Sequence, residues 1–438
     1  MTDFQNSNTL AIDFGTSNSA AGILVNGKPY IIDIEPGHST LPTSVFFDFA
    51  DQVTVYGNRA NAALIDGRDG RFMRSLKSVL GTSLMRESRQ IMGQELTFID
   101  IISRFLHEVK TNAETQCMQR FDRALSGRPV HFHSIDAAKD KQAQIDLYEC
   151  YLQAGFSDVR FMFEPEAAAI ASGSLAAPDE IGLIVDIGGG TSDFSLFKSR
   201  ADNGENGTAI EIIASHGVRV GGTDFDRSIS VDHVMPLFGK DAQIGREMGT
   251  GTFAAPNAIF QELATWQKIP FLYTAAARRE VSELQRLATE PRLFGRLATV
   301  LELELGHDVA FAVERGKIKA NKAKDTGAVI DLRVVEPELR ARISTTNLSV
   351  SLAAHIEKIQ TCALETLQMA DYPAERISKV IFVGGSSLMS VVEQAMISVF
   401  PAASLEYADA FTAIIDGLAI ASGQPLADQS PTTGRVPA

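Results

Sequence analysis

The 438-residue sequence predicts an α/β fold of two related lobes, each a mixed sheet with helices on both faces and an inserted segment. Three observations lead there. Short apolar runs of strand length alternate with stretches of helical periodicity along the chain. A strand–turn–strand unit around residue 13 is echoed around residue 186. The length exceeds one compact unit of about 100–200 residues, so a two-lobed molecule fits it.

From the N-terminus, Leu10–Phe14 is a short apolar strand, Gly15-Thr16-Ser17-Asn18-Ser19 a turn, and Ala20–Val25 the return strand. Asn26-Gly27 turns the chain into Tyr30–Ile34. Pro36-Gly37 and Pro42 break the pattern, and Val45–Phe49 and Val53–Tyr56 read as another strand pair. Asn58–Ile65 and Arg71–Leu80 carry apolar residues at helical spacing, with Gly81 as a stop. Phe98–Glu108 is a stronger amphipathic helix. Arg128–His133 reads as a strand, Asp136–Ala154 as a helix ended by Gly155, and Val159–Phe163 as a strand. Glu164-Pro165 opens a small-residue helix through Ala171.

The second half repeats the opening. Leu183–Ile187 is a strand, Gly188-Gly189-Gly190-Thr191-Ser192 a turn, and Phe194–Phe197 the return, with Ala209–Gly217 as a third strand. Phe225–Asp325 is mostly helical around a turn-rich patch at Gly245–Pro256. Ile343–Val350 reads as strand and capped turn, Leu352–Met369 as a long helix, Lys379–Val383 as a strand, and Phe411–Ala421 as a final helix.

Composition narrows the function. Forty Lys+Arg against 54 Asp+Glu give a net charge of −14, which argues against a general nucleic-acid binder. Phosphate ligands remain compatible, since backbone N–H groups and a bound cation hold them. The polar start, Met1–Leu10, resembles no leader, and no apolar stretch approaches the ~20 residues of a membrane span. Cys117, Cys150 and Cys362 form no CxxC motif, so a reducing cytoplasm is the expected compartment.

The echoed turn carries the chemistry. The segments Leu10–Ser17 and Ile184–Ser192 both run from an apolar strand through an Asp and a glycine turn to a Thr-Ser pair. Asp13 and Asp186 stand 173 positions apart, too far for a solenoid repeat. Glycine lets several N–H groups point at one anion, and the hydroxyls donate further hydrogen bonds. An Asp beside a phosphate becomes sensible when a hard cation such as Mg²⁺ lies between them. Two such turns would clasp a polyphosphate. Gly27-Lys28-Pro29, Gly239-Lys240-Asp241 and Gly316-Lys317-Ile318 lack the hydroxyl residue of a Walker-A loop. No GxGxxG opens a helix, which disfavours a dinucleotide fold. His131 and His133 have no third ligand and read as ordinary histidines.

With these motifs in hand, the sequence resembles the ATPase domain of the heat shock protein 70 (DnaK-type) family, over about Thr9 to Gly423. Ile12–Ser19 is similar to the family's first phosphate loop and Val185–Asp193 to its second. Glu164-Pro165-Glu166-Ala167-Ala168-Ala169 resembles its connecting helix, Gly221–Asp226 its GG-x-DFD turn, and Phe382–Ser387 its adenosine-side loop. The resemblance implies an actin-like ATPase with ribonuclease H-like duplicated lobes and nucleotide in the cleft between them. It places the N-terminal lobe at 1–180, with an insertion at about 36–125. The C-terminal lobe is placed at 181–407, with a mostly helical insertion at about 231–342. A helix at 408–424 returns to the first lobe, and 425–438 is a disordered tail.

Roles carry over in the same way. The resemblance makes Lys77 the lysine that positions the attacking water, and Glu164 the carboxylate near that water. Together with Asp186 and Thr191 these form the expected catalytic set. Asp13, Asp186 and Asp193 surround Mg²⁺ through water. Asp13, Gly15, Thr16, Ser17, Asn18, Gly188, Gly189, Gly190, Thr191 and Ser192 bind the phosphates of ATP or ADP. Gly221, Gly222, Glu314, Lys317, Ile318, Gly384, Gly385, Ser386, Leu388 and Asp409 complete the nucleotide set.

Two departures stand out. Ile318 and Leu388 occupy positions where the family has arginines beside adenine, which removes a cation–π contribution of about 0.5–2 kcal/mol and relaxes base choice. The sequence stops soon after its last helix, as in the short YegD-like branch without a peptide-binding domain. The expectation is a slow, Mg-dependent ATPase acting as a chaperone-like conformational switch, with a client or co-chaperone as partner and neither nucleic acid nor membrane. A small-molecule kinase, an actin-like filament protein and a non-hydrolysing nucleotide sensor are the alternatives.

Overall fold

The computed structural model describes residues 8–133, 136–172, 179–200, 209–247, 250–323, 326–407 and 412–423. Two compact units divide the chain. One comprises Met1–Arg219, Gln360–Leu388 and Met396–Ala438; the other comprises Val220–Ile359 and Met389–Ala395.

The first unit contains both main sheets. In one, Lys28–Ile32, Asn18–Val25 and Thr9–Phe14 form an antiparallel meander, and Arg123–Arg128 and Asp158–Phe163 extend it in parallel. In the other, Ala209–Val218, Ser192–Arg200 and Ile181–Ile187 form the meander, and Lys379–Val383 and Ser404–Tyr407 extend it in parallel. Counted by order along the chain, both sheets run 3-2-1-4-5. The duplication read from two turns therefore extends to whole sheets. The first strand of each meander lies centrally and carries apolar side chains on both faces: Leu10, Ala11 and Ile12 in one, Leu183, Ile184 and Val185 in the other.

Helix Glu164–Ser172 joins the two sheets. Its residues are small because both sides are covered. Ala167 packs into a cluster with Ala11, Ala20 and Leu125 of the first sheet, while Ala168 and Ala169 pack with Ile184, Phe197 and Ile381 of the second. Helix Ala413–Ser422 lies against it and against the first sheet. Gly417 meets the backbone of Ala167 so closely that a Cβ would collide with its carbonyl. Leu418 is fully buried there, so Leu418→Ala would cost about 2–5 kcal/mol.

The second unit is mostly helical, as the sequence indicates for this stretch. Trp266 packs edge-on to His307 at 4.7 Å and Phe311 at 4.9 Å, in a half-buried aromatic cluster of this unit. Helix Gly222–Ile229 runs into a π turn, Ser230–Val234. The wide turn puts Ser228 and His233 on one side, facing helix Thr345–Met369. Ser228 Oγ and His355 Nε2 are hydrogen-bonded at 2.8 Å, and His233 Nε2 and Ser351 Oγ at 3.1 Å.

Several elements differ from expectation. The Arg71–Leu80 stretch is a strand, Gly70–Arg74, followed by a short 3₁₀ turn, Leu76–Val79. Phe72 and Met73 pair with Phe46 and Val45, and Ser75 turns the chain with φ of 59°. The expected strand at Arg128–His133 is a loop, and the strand is Arg123–Arg128. Pro129 has no N–H and cannot continue a strand flanked on both sides. Helix Thr345–Met369 starts seven residues before the expected Leu352, because Ser344 and Asn347 cap it reciprocally. Helix Phe98–Cys117 runs nine residues past the expected Glu108, and the expected strand and turn at Ile343–Val350 is the end of strand Arg340–Ile343 followed by the start of helix Thr345–Met369. Strands Arg89–Ile91, Gln94–Leu96, Ala328–Asp331 and Ser404–Tyr407 had no sequence expectation. The other expected strands fall within a few residues of their predicted bounds. Asp409 and the tail at 425–438 lie outside the described residues.

Candidate functional site

The two glycine turns meet. In the first hairpin Asp13 pairs with Ala20, and in the second Asp186 pairs with Asp193, a seven-residue offset in each. Asp186 and Asp193 therefore project from the same face of adjacent strands. The shared register also corrects the sequence alignment of the turns. Thr191 is the counterpart of Asn18 and Gly189 that of Thr16, so the two Thr-Ser pairs are not equivalent positions. A Cβ on Gly15 would strike the Asn18 carbonyl. At the matching place Gly188 N–H donates to the Thr191 carbonyl at 3.0 Å.

A Cβ on Gly189 would collide with the Ser17 hydroxyl, which places the two turns in contact. Nothing lies within 4 Å of the corresponding position on Gly190. Thr43 steadies the first turn. Its N–H donates to the Ser17 carbonyl at 2.9 Å, and its hydroxyl lies 2.8 Å from that of Ser19.

Four carboxylates and one lysine converge beside the turns. Lys77 Nζ donates to Glu164 Oε1 at 2.6 Å, and each side chain is 10% exposed. Burial alone would lower the lysine's pKa. Glu164, Asp13 and Asp186 outweigh burial and raise it. Burial pushes Asp13 up to about 7, helped by Glu164 and opposed by Lys77. Burial likewise lifts Asp193 to about 7, against the hydrogen bond from Thr191 Oγ1 at 3.0 Å. Asp186 is raised well above the carboxylate range by burial and by Glu164, Asp193 and Asp13. One ammonium group thus faces more negative charge than it neutralises.

Such a set fits a hard divalent cation, whose charge offsets what Lys77 leaves. Among the described residues no three His, Cys, Asp or Glu side chains cluster closely enough to hold a metal directly.

Glycines crowd these carboxylates. A Cβ on Gly384, whose φ is 81°, would lie 2.7 Å from Asp186 Oδ1. A Cβ on Gly127 would lie 3.3 Å from Glu164 Cγ. Gly384 opens the turn Gly385–Leu388, closed by Ser387 Oγ on the Gly384 carbonyl at 2.6 Å. Gly385 and Ser386 lie on this turn, and Leu388 is 39% exposed.

The remaining residues lie in the second unit. Gly221 and Gly222 begin a helix, with Gly221 N–H donating to Asp224 Oδ2 at 3.0 Å. Glu314, Lys317 and Ile318 lie on helix Gly306–Lys322. Lys317 is buried, and its amino group is held 2.8 Å from Asp226 and 3.4 Å from the Gly222 carbonyl. Ile318 is 45% exposed and does not belong to the core. The sequence reading missed the supports: Thr43, Gly127, Asp226, and Tyr151, whose hydroxyl donates to Ser126 Oγ at 2.8 Å. Asp226 had a signal, since it closes the Gly-Gly-x-Asp-Phe-Asp motif. Thr43 and Tyr151 carried none.

Two mixed sheets of one strand order, joined by a small-residue helix and carrying a matched pair of phosphate-type turns, define the actin-like two-lobed ATPase fold. The family model described as Hsp70 protein matches residues 9–250, more than half of the chain. The chain belongs to the Hsp70 family, whose members are ATP-binding, chaperone-type proteins and generally ATPases that use Mg²⁺. No helix among the described residues is long and apolar enough to cross a membrane.

Proposed function

We propose that this chain binds Mg-ATP through the two glycine turns and hydrolyses it slowly to ADP and phosphate, acting as a nucleotide-driven conformational switch for a client or co-chaperone protein. The single observation that carries this reading is the convergence of Asp13, Lys77, Glu164, Asp186 and Asp193 where Ser17 meets Gly189.

Turn N–H groups and the hydroxyls of Thr16, Ser17 and Thr191 orient the phosphates, whereas the Ser192 side chain is fully buried on the strand face opposite Asp193 and supports the turn instead. Asp13, Asp186 and Asp193 would hold Mg²⁺ through water, and the ion, when bound, neutralises charge on the β and γ oxygens. Lys77 and Glu164 place the attacking water, with Glu164 accepting its hydrogen bond and Lys77 drawing the terminal phosphate oxygen. Gly221, Gly222, Glu314 and Lys317 support the nucleoside side. Ile318 and Leu388 offer apolar contact there without an arginine's preference for adenine. The lobes of this reading are 1–180 and 181–407.

Calorimetric titration with Mg-ATP, joined to a phosphate-release assay without added acceptor, tests the proposal. Wild-type protein binds ATP and releases phosphate, Thr191→Ala binds or turns over less, and Lys77→Ala binds without turnover. Failure of wild-type protein to bind ATP would remove the reading. Binding with turnover no higher than that of Lys77→Ala would reduce it to nucleotide sensing.

A further inference from the structure

A second cation stands at the root of Glu164. Arg128 ends strand Arg123–Arg128 and pairs in register with Phe163, the residue before Glu164. Its neighbour Gly127 lies against the Glu164 side chain. The guanidinium sits 5.2 Å from the Phe132 ring centroid and 5.3 Å from that of Phe163. Nε donates to the Pro129 carbonyl at 3.0 Å, Nη2 to the Val130 carbonyl at 3.1 Å, and Nη1 to Gln144 Oε1. Asp140 lies 3.6 Å away, and the side chain is 12% exposed. So many partners hold the group still.

The charges near Glu164 give this cation a task. Lys77 is bound to Glu164 at 2.6 Å. To reach a nucleotide phosphate it must leave that carboxylate, and a buried carboxylate left without a counter-charge is costly. We propose that Arg128 is a positioning residue of the hydrolytic site, a fixed second counter-charge for Glu164 that lets Lys77 move to the phosphates. Arg128 acts through its field, because its own donors are engaged elsewhere. Burial lowers its pKa, and the pull of Asp140 and Glu164 works against that. An arginine keeps its charge under such burial. The inference rests on the hydrolytic reading above.

The test compares wild type, Arg128→Lys and Arg128→Gln by ATP turnover and by calorimetric ATP affinity. Arg128→Gln is expected to lower kcat about tenfold while the Kd for ATP stays within about twofold. Arg128→Lys keeps the charge but loses the planar fork, and is expected to keep kcat within about threefold of wild type. Equal loss in both variants would make Arg128 a scaffold residue and overturn the inference, as would unchanged kcat in both. If Arg128→Gln does not fold, Arg128→Met replaces it as the charge-removing variant, read by the same comparison of kcat and Kd against Arg128→Lys. An inactive wild type would instead sink the hydrolytic reading itself, and this inference with it.

Discussion

Ser17 and Gly189 approach so closely that the serine hydroxyl occupies the space a Cβ on the glycine would need. Gly189→Ala must therefore push the Ser17 hydroxyl out from between the turns. The hydroxyl can rotate aside, so the expected cost in stability is below about 1 kcal/mol, and the main effect is weakened Mg-ATP binding. Gly190→Ala meets nothing within 4 Å. Calorimetric Mg-ATP titration of both variants checks the contrast, and equal affinities would contradict it.

Lys77 and Glu164 form a buried pair, yet their removal is not symmetric. Without Lys77, Glu164, Asp13 and Asp186 lose the cation they share. Lys77→Met is expected to cost about 3–5 kcal/mol. Without the Glu164 charge, Lys77 still faces Asp13 and Asp186, and those aspartates lose a repulsive neighbour. Glu164→Gln should cost less than about 1 kcal/mol. Denaturant midpoints at neutral pH measure both, and the reverse order would refute this account.

Asp13 is held up to about 7 by burial and by Glu164. In the fold its ionised form is the disfavoured one, so at pH 8 an amide in its place removes a repulsion. Asp13→Asn is expected to stabilise the nucleotide-free protein by on the order of 1 kcal/mol and to weaken Mg-ATP binding about tenfold or more. Thermal melts with and without Mg-ATP separate the two effects. A lower melting point in the free protein would count against the charge picture.

In the second unit, Glu336 accepts hydrogen bonds from Arg296 at 2.9 Å and Arg292 at 2.5 Å. These hold its pKa at about 2, below its ordinary 4.5. A depressed carboxylate stabilises the fold fully above its unfolded value and loses that contribution as pH falls through its folded value. The Glu336 contribution is therefore present above about pH 4.5 and lost towards pH 2. Glu336→Gln should lower stability at pH 6 and bring the variant level with wild type near pH 2. A constant difference across that range would disprove the linkage.

The parts of the fold legible in the sequence are those written locally. Asp13, Gly15 and Ser17 lie within five residues, and so do Asp186, Gly188 and Gly190, so each turn could be read without its surroundings. Lys77 and Glu164 are 87 positions apart, and only resemblance to the family joined them. Arg123–Arg128 was misplaced because its buried core, Ala124 to Gly127, offers a single large apolar residue, Leu125, among small ones and so gives no strand periodicity. The alternating Val130-His131-Phe132-His133 imitated a strand instead. The equivalence of Thr191 with Asn18 needed the strand register, because the two turns distribute their glycines differently over the same number of residues.

The π turn at Ser230–Val234 behaves like an insertion preserved inside a helix. Removing one residue there would restore ordinary winding and rotate the downstream residues by about 100° relative to the upstream ones. Either Ser228 would lose His355 or His233 would lose Ser351, since a tighter coil cannot present both. Length here acts as information: the segment tolerates exchanges of residue type more readily than any change in their number.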